Sequence, residues 1–172
     1  MRRILTQKFF DRPTLKVAEE LLGKYLVRGY RGKEIAAMIT EVEAYDGPND
    51  KGSHASRGIT QRTRIMFGPA GHWYVYFTYG MHWMLNIVTG PEEYPAAVLI
   101  RGVEDVRGPA RVTKFFKIDK RFNGRSASRK TNLWIEDRGI RIKKSLINKA
   151  PRIGIDYAGP YWSKKRWRFF IQ

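Results

Sequence analysis

The sequence predicts an α+β fold in a single domain. Segments with the composition of strands and of helices do not alternate regularly, as they would in a doubly wound parallel sheet. The 172 residues contain no internal repeat, no low-complexity segment and no linker. This length is sufficient to bury one core without disulfides or a structural metal. We therefore expect one α+β domain over residues 1–172.

The first half of the chain is predicted to contain a helix, two strands and a long loop. The helix spans residues 11–23, where Asp11 is a suitable N-terminal cap and Gly23 a suitable end. The two strands and the loop follow at residues 24–28, 34–45 and 46–72. A loop of this length in a compact domain usually carries a function, and this one has room for one short helical turn.

The second half is predicted to be richer in strands. Aromatic and branched residues favour strands, and proline is common in the first turn of a helix. The predicted order is a hairpin at 74–88, an apolar strand at 97–104, a helix that opens at 108–109, a basic stretch at 120–130, further strands and a tail at 162–172.

Charge is the strongest signal in the composition. Thirty-three Lys and Arg residues stand against sixteen Asp and Glu residues, which gives a formal net charge of +17. Such a field attracts polyanions, and we interpret it as a sign of nucleic-acid binding. A solvated, highly charged surface is the alternative, and charge alone does not separate DNA from RNA binding, or an enzyme from a passive binder.

Several other protein classes are excluded by composition. The chain has no cysteine, so it has neither a disulfide framework nor a thiolate metal site. Its first residues, MRRILTQKFFD, contain only a broken apolar run, and no stretch approaches the length of a membrane span. We expect a soluble protein inside the cell, cytoplasmic or associated with the nucleoid, or nuclear in a eukaryote.

Acidic residues are concentrated in one place. Glu41, Glu43, Asp46 and Asp50 supply four of the sixteen acids, and strand alternation places Glu41, Glu43 and Tyr45 on one face. Surface ion pairs would explain this cluster. Two chemistries would also explain it: carboxylates that hold Mg²⁺ for phosphodiester hydrolysis, or one carboxylate that activates water to hydrolyse an N-glycosidic bond.

The tip of the predicted hairpin, in YVYFTYGMHWMLNIV, is unusual. Tips normally carry small polar residues, yet Tyr79 and Met81 flank the glycine here. Chemistry on a base within a duplex requires the nucleotide to leave the stack, and an apolar wedge on a protruding turn can fill the gap. Alternatively, Tyr79 packs on its own hairpin.

Several motifs, in order along nearly the whole chain, resemble the alkyladenine (3-methyladenine) DNA glycosylase family. They are EVEAYDGPNDKGSHASRG, MFGPAGHWYVYFTYGMHWMLNIV, VLIRGVE, GPARVTKFFKI, LWIED, PRIGIDYAG and RWRFFIQ. The resemblance implies a single-domain α+β fold with a curved, mostly antiparallel sheet, surrounding helices and a protruding hairpin that intercalates into DNA. It also implies a monomer that needs no metal or organic cofactor and removes alkylated or deaminated purines from double-stranded DNA.

The resemblance assigns the chemistry to individual positions. Glu43 matches the carboxylate that activates the water, and Arg101 matches an arginine that helps to hold it, together with a backbone group of PRIGIDYAG. Tyr45 and Tyr76 match the aromatic residues that sandwich the flipped base, and His54 closes the same pocket.

The resemblance also assigns the contacts around the base. Tyr79 matches the residue that intercalates where the base was, with Met81 beside it on the tip. Asn86 matches a pocket residue that helps to reject guanine through its exocyclic amine. Strand alternation agrees in part, because it places Tyr76 towards a pocket if Phe77 packs inside.

Two other functions remain open at this stage. A metal-dependent nuclease would use the same acids, although no convincing set of ligands is evident, and a non-catalytic nucleic-acid binder would explain the charge alone. No histidine spacing suggests zinc. The chain has no evident nucleophilic lysine beside Glu43, so we expect a monofunctional enzyme that leaves an abasic site without cutting the strand.

Overall fold

A computed structural model of the chain describes residues 2–172, so Met1 of the expected domain lies outside the described residues. The strands are β1 (Arg3–Ile4), β2 (Tyr25–Tyr30), β3 (Lys33–Asp46), β4 (Trp73–Thr78), β5 (His82–Val88), β6 (Ala96–Val103), β7 (Val106–Arg107), β8 (Leu133–Asp137), β9 (Asn148–Ala150) and β10 (Arg168–Phe170). The α-helices are α1 (Gln7–Phe10), α2 (Thr14–Leu21), α3 (Pro109–Phe115) and α4 (Pro160–Ser163).

The strands form one open, antiparallel sheet with β3 at its centre. Its main path runs β1-β8-β2-β3-β6-β5-β4, and the short strand β7 pairs with the end of β6. The first part of β3 pairs with β2, and the later part pairs with β6 on one edge and with β10 on the other. Few helices accompany this sheet, so the α+β class and the mostly antiparallel pairing are confirmed.

The hydrophobic core lies between the sheet and the two longer helices. Val17 and Leu21 of α2 and Val112 of α3 are fully buried and join one cluster with Ile39 and Ile100 of the sheet. Burial of these faces stabilises helices that would be marginal in isolation at this length. The core therefore fixes β3 and β6, the two strands that carry Glu43 and Arg101.

The predicted cap of the first helix is wrong. Asp11 is the C-terminal cap of α1, and α2 begins three residues later, after Pro13. Neither helix has a side-chain hydrogen bond at its N-terminal cap. The predicted end is correct, because Gly23 follows α2 with a φ of 82° that glycine adopts without strain.

The long loop contains more local structure than expected. Short 3₁₀ turns occupy His54–Arg57 and Thr63–Phe67. The Ser53 hydroxyl accepts a hydrogen bond from the Ala55 N–H and caps the first turn. Within residues 2–172, no helix is both long and apolar enough to cross a membrane.

Candidate active site

A cavity of about 290 Å³ opens beside the β4–β5 hairpin. Its walls come from β3, from the 3₁₀ turn at His54–Arg57, from the hairpin, from β6 and from residues 153–157. This volume is near the lower end of the range for ligand pockets, about 300–1,000 Å³, and suits a small planar molecule.

Glu43 lies at the base of this cavity with a fully buried side chain. Oε1 accepts a hydrogen bond from the Ile153 N–H at 2.8 Å, and Oε2 accepts one from the Tyr45 hydroxyl at 2.8 Å. Arg101 Nη1 lies 3.4 Å from Oε1. Burial raises the pKa of Glu43 above its ordinary value, although Arg101, the Ile153 N–H and Tyr45 oppose this shift by stabilising the carboxylate.

A bulge in β3 turns Glu43 towards the cavity. The register with β6 shifts on both sides of Glu41, so that Ile39 and Val42 both reach the core although they lie three positions apart. Strict alternation through the whole strand would instead place Ile39 and Glu43 on the same face. Gly102 lies opposite the bulge. A Cβ at this position would lie only 3.1 Å from the Cβ of Glu41, so glycine leaves room for the bulge.

Arg101 is held between two carboxylates. Its Nη1 faces Glu43, and its Nε donates to Glu41 Oε1 at 3.3 Å. Arg168 of β10 donates to the same oxygen of Glu41 at 3.0 Å. Glu41 therefore acts on the cavity only through Arg101, and it does not line the cavity.

The cavity has aromatic walls. Tyr45 lines it from β3, while Tyr74 and Tyr76 line it from the same face of β4. The ring of His54 meets the ring of Tyr76 edge-on, with centroids 4.7 Å apart, and its Nδ1 lies 3.2 Å from the Tyr74 hydroxyl. Such rings present flat apolar faces together with a few polar groups that orient a planar guest.

His54 is neutral at physiological pH. Burial, together with the nearby charge of Arg62, lowers its pKa to about 4. The Arg62 guanidinium lies over the Tyr76 ring at 4.7 Å. A neutral imidazole can both donate and accept a hydrogen bond, and it does not repel a positively charged guest.

Asn86 lies opposite Tyr74 across the hairpin and is almost fully buried. Its side-chain amide donates to the Tyr74 carbonyl at 3.1 Å, which fixes the orientation of the amide in the cavity wall. A polar side chain fixed in this way can discriminate between ligands by the positions of their donors and acceptors.

The hairpin tip is exposed and strained. Tyr79 is 82% exposed and Met81 is 66% exposed. Tyr79 and Gly80 both have positive φ, at 53° and 65°, and the Met81 N–H donates to the Thr78 carbonyl across the turn. This conformation costs a non-glycine residue about 1–2 kcal/mol. Because Tyr79 is so exposed, burial of its ring against its own hairpin does not offset that cost.

The expected burial of Phe77 is wrong. Phe77 does point away from Tyr76, but it is 44% exposed and packs against Trp83, with ring centroids 4.6 Å apart. The hairpin projects beyond the core at Phe77, so on that face only Trp73 and Val75, which lie nearer the core, are buried. The part of the prediction that concerns Tyr76 holds, since Tyr76 lines the cavity.

Comparison with models of known protein families finds a match that begins at residue 8 and extends to residue 172. The family model described as methylpurine-DNA glycosylase matches residues 8–107 and 104–172. The chain belongs to the methylpurine-DNA glycosylase family. The expected resemblance is thereby confirmed.

Similar proteins of this family occur in archaea and bacteria. A relative from Methanocella arvoryzae is 43% identical over 187 residues, which cover 97% of this chain and 92% of the relative. A relative from Legionella pneumophila (strain Paris) is 41% identical and covers 100% of this chain and 96% of its own length. A third, from Anaeromyxobacter dehalogenans, is 43% identical, and the match covers 98% of this chain and 83% of the relative. All three carry the name "Putative 3-methyladenine DNA glycosylase".

In this methylpurine-DNA glycosylase family member, most of the site residues expected from the sequence come together. One cavity is lined by Glu43, Tyr45, His54, Tyr76, Tyr79, Asn86 and Arg101. Met81 is the exception, because it lies at the hairpin tip and does not line the cavity. The structure thus brings seven of the expected side chains together around one cavity.

Sequence reasoning missed other residues of the site. Tyr74 is one, although it lies two positions before Tyr76 and strand alternation places both residues on the same face. Tyr157 lies at the cavity wall, is 66% exposed and donates its hydroxyl to the Gly52 carbonyl at 3.0 Å. No local pattern distinguishes Tyr157 from an ordinary surface tyrosine, so only the fold reveals it.

The acidic residues of β3 and the following loop bind nitrogen donors. Asp50 pairs with Arg152, Glu43 binds Arg101 and the Ile153 N–H, and Glu41 binds two arginines. Among residues 2–172, no three His, Asp or Glu side chains are grouped as metal ligands.

Proposed function

We propose that this chain is a monofunctional DNA glycosylase that removes alkylated or deaminated purines, such as 3-methyladenine and hypoxanthine, from double-stranded DNA. The whole chain acts as one domain and as a monomer. It hydrolyses the N-glycosidic bond with a water that Glu43 activates and leaves an abasic site. The observation that carries this proposal is a fully buried carboxylate in an aromatic cavity, beside an exposed and strained aromatic tip.

Glu43 is the general base in this mechanism. It takes a proton from water as the oxygen attacks the sugar carbon, and its charge stabilises the developing oxocarbenium ion. The Ile153 N–H and the Tyr45 hydroxyl hold the two carboxylate oxygens in fixed positions, and Arg101 approaches one of them. A fixed charge in a site without bulk water is far more effective than one in solution.

The cavity wall suits a purine that carries a positive charge. Methylation at a ring nitrogen such as N3 makes the base cationic in its nucleoside, so that it leaves as a neutral molecule without an acid catalyst. The faces of Tyr45 and Tyr76 attract a cation, and His54 is neutral because its pKa is lowered to about 4. The fixed amide of Asn86 is the element that rejects guanine.

The hairpin tip separates the flipped base from the duplex. A nucleotide must leave the stack before its sugar carbon becomes accessible, and a side chain in the vacated place offsets part of the unstacking free energy. Tyr79 lines the cavity mouth and is also highly exposed, so one residue can enter the duplex next to the base in the cavity. Met81 extends this apolar surface at the tip.

The metal-dependent nuclease is a weaker candidate because its carboxylates are already paired with arginines. A simple assay separates the functions. The protein is incubated in excess EDTA with a duplex that contains one hypoxanthine, and the DNA is then treated with alkali. Strand cleavage only after alkali supports the glycosylase. Cleavage that requires Mg²⁺ would instead identify a nuclease, and retention of intact DNA would identify a binder.

We expect DNA affinity to depend strongly on salt. The net charge of +17 provides many cations for phosphates, and each neutralised phosphate contributes about −0.9 to the slope of log K against log[salt]. With roughly 4–7 phosphate contacts for a module of this size, the slope is about −3.6 to −6.3. Fluorescence anisotropy of labelled duplex from low to moderate salt measures it. An affinity that hardly changes with salt would contradict this electrostatic account.

We expect the rate of excision to fall at acidic pH, with a midpoint above the ordinary pKa of glutamate. We call this decline the acid limb. Glu43 must be ionised to accept a proton, and burial raises its pKa, so the rate falls as pH falls through that raised value. Tyr45→Phe removes the hydroxyl that stabilises the carboxylate and moves this limb to still higher pH. Single-turnover rates on an unpaired 3-methyladenine substrate measure the limb without the flipping step. A limb at or below the ordinary glutamate value would exclude Glu43 as the titrating base.

A further inference from the structure

A buried ion pair lies directly behind the cavity. Asp50 and Arg152 are both fully buried, and the guanidinium binds the carboxylate through two nitrogens, at 2.6 and 2.8 Å. The two residues are 102 positions apart in the chain. We propose that this pair positions the catalytic carboxylate by fixing the Ile153 N–H against Glu43 and one face of Tyr45. This proposal rests on the glycosylase function proposed above.

Arg152 joins the segment at residues 150–155 to the catalytic strand. Its Nη1 donates a further hydrogen bond, at 3.0 Å, to the carbonyl of Ala44, the residue between Glu43 and Tyr45. The next residue along the chain, Ile153, donates its N–H to Glu43. A displacement of Arg152 would therefore also move the neighbouring Ile153 N–H, which donates to Glu43.

Asp50 organises the other side of the pair. Its carboxylate accepts hydrogen bonds from the backbone N–H groups of Asp46 and Gly52, at 3.1 and 3.0 Å. The loop is thereby wrapped around the carboxylate just before it reaches His54. Gly52 also needs to be glycine, because a Cβ there would lie 2.8 Å from Arg152 Nη2.

Arg152 also supports Tyr45 from behind. The guanidinium carbon lies 4.8 Å from the Tyr45 ring centroid and 5.0 Å from that of Trp167. Tyr45 lines the cavity, whereas Arg152 does not. The cation is thus stacked on Tyr45 outside the cavity, and the tyrosine hydroxyl is held where it donates to Glu43.

The arrangement is not explained by stability alone. Replacing a buried ion pair with apolar residues is often neutral or stabilising, because both charges lose their hydration. Here the Nε of Arg152 is buried and has no hydrogen-bond partner among residues 2–172. A buried donor without a partner adds to the cost of this ion pair, so the contacts that the pair makes around Glu43 offer a reason for it beyond stability.

Asp50→Asn tests the proposal because a positioning role and simple removal of charge predict shifts of the acid limb in opposite directions. Asparagine cannot accept both guanidinium bonds, so Arg152 rotates, the Ile153 N–H moves and Glu43 loses a donor that stabilises its ionised form. Loss of one such hydrogen bond shifts the acid limb of the single-turnover rate upward by about one pH unit. Removal of a negative charge without any movement would instead shift the limb downward.

The groups that face Glu43 must stay unchanged for this comparison. They are Tyr45 on its own strand, Arg101 on β6, Tyr76 on β4, and Arg152 with the Ile153 N–H on the segment at 150–155. Asp50→Asn alters none of them chemically. We also expect the rate on the high-pH plateau to fall by roughly tenfold or more, since small displacements of catalytic groups are costly.

Asp137→Asn is the matched control. Asp137 is also a buried carboxylate, 3.1 Å from Lys24, but it lies on β8 and does not line the cavity. We expect it to lower the melting temperature without moving the acid limb. Asp50→Ser also removes the carboxylate and leaves every group that faces Glu43 unchanged, so we expect the same upward shift, and it replaces Asp50→Asn if that variant does not fold.

The outcomes are distinct. An upward shift in Asp50→Asn or Asp50→Ser, absent in Asp137→Asn, supports the proposal. An unchanged or downward shift, or an equal shift in the control, overturns it. Absence of excision by the unmodified protein would instead refute the glycosylase function itself.

Discussion

Glu43→Gln should abolish most of the base excision while DNA binding survives. Glutamine has nearly the same shape as glutamate, but it cannot accept the proton of the attacking water and carries no charge against the oxocarbenium ion. A positioned base contributes about 10²–10⁴-fold to the rate, and the lost charge adds to that effect. We therefore expect single-turnover excision to fall at least about a hundredfold. Binding should be equal or tighter, because a negative charge near the phosphates is gone.

Glu41→Gln is the control on the same strand. Glu41 accepts bonds from Arg101 and Arg168 through Oε1, and a glutamine carbonyl can still accept them. It does not line the cavity, so the rate should fall only modestly. Full activity in the Glu43 variant, or a larger loss at Glu41, would contradict the mechanism.

The stability of Glu43→Gln distinguishes loss of chemistry from loss of folding. Burial raises the pKa of Glu43 in the folded chain, so the free energy of unfolding declines as pH rises from the ordinary glutamate pKa through the raised one. Glutamine removes this penalty at neutral pH. We expect its melting temperature at pH 7 to be at or above that of the unmodified chain, as measured by calorimetry.

Tyr79→Ala should slow excision of a paired base much more than excision of an unpaired one. Unstacking costs a few kcal/mol, and the tyrosine ring offsets part of this by filling the vacated space. Loss of that contribution corresponds to roughly a ten- to hundredfold slower reaction in fully paired duplex. A base opposite a gap is already unpaired, so it leaves the helix more easily and should react at nearly the normal rate.

Tyr79→Asn separates the wedge from the strain at the tip. Asparagine tolerates positive φ better than tyrosine does, so this variant should stabilise the hairpin while it removes the ring. A similar defect in the Ala and Asn variants shows that the ring itself is needed. Equal slowing of paired and unpaired substrates would refute the wedge and would show that Tyr79 is structural or acts only within the cavity.

Local patterns in the sequence were sufficient to predict most of the sheet. The hairpin at Trp73–Val88 and the strand at Ala96–Val103 agree closely with the composition of aromatic and branched residues. The cap at Asp11 failed because a preceding helix, α1, uses that residue as its end. Propensity alone does not decide which of two adjacent helices a polar residue serves.

Site residues that lie within one sequence motif could be predicted. Those that come together only through the fold could not. Glu43 and Tyr45 lie in one motif and share a strand face. Their direction, however, depends on a bulge opposite Gly102 that alternation cannot show. The partnership of Asp50 with Arg152 was equally inaccessible, because no local pattern links residues 102 positions apart.

The identity of the reaction product tests the central claim most directly. DNA that carries 3-methyladenine is incubated with the protein in EDTA, and the soluble fraction is analysed by chromatography and mass spectrometry. We expect free 3-methyladenine, abasic sites in otherwise intact strands, and almost no product from Glu43→Gln. Release of nucleotides or oligonucleotides, a covalent adduct trapped by borohydride, or equal product from the Glu43 variant would contradict the account.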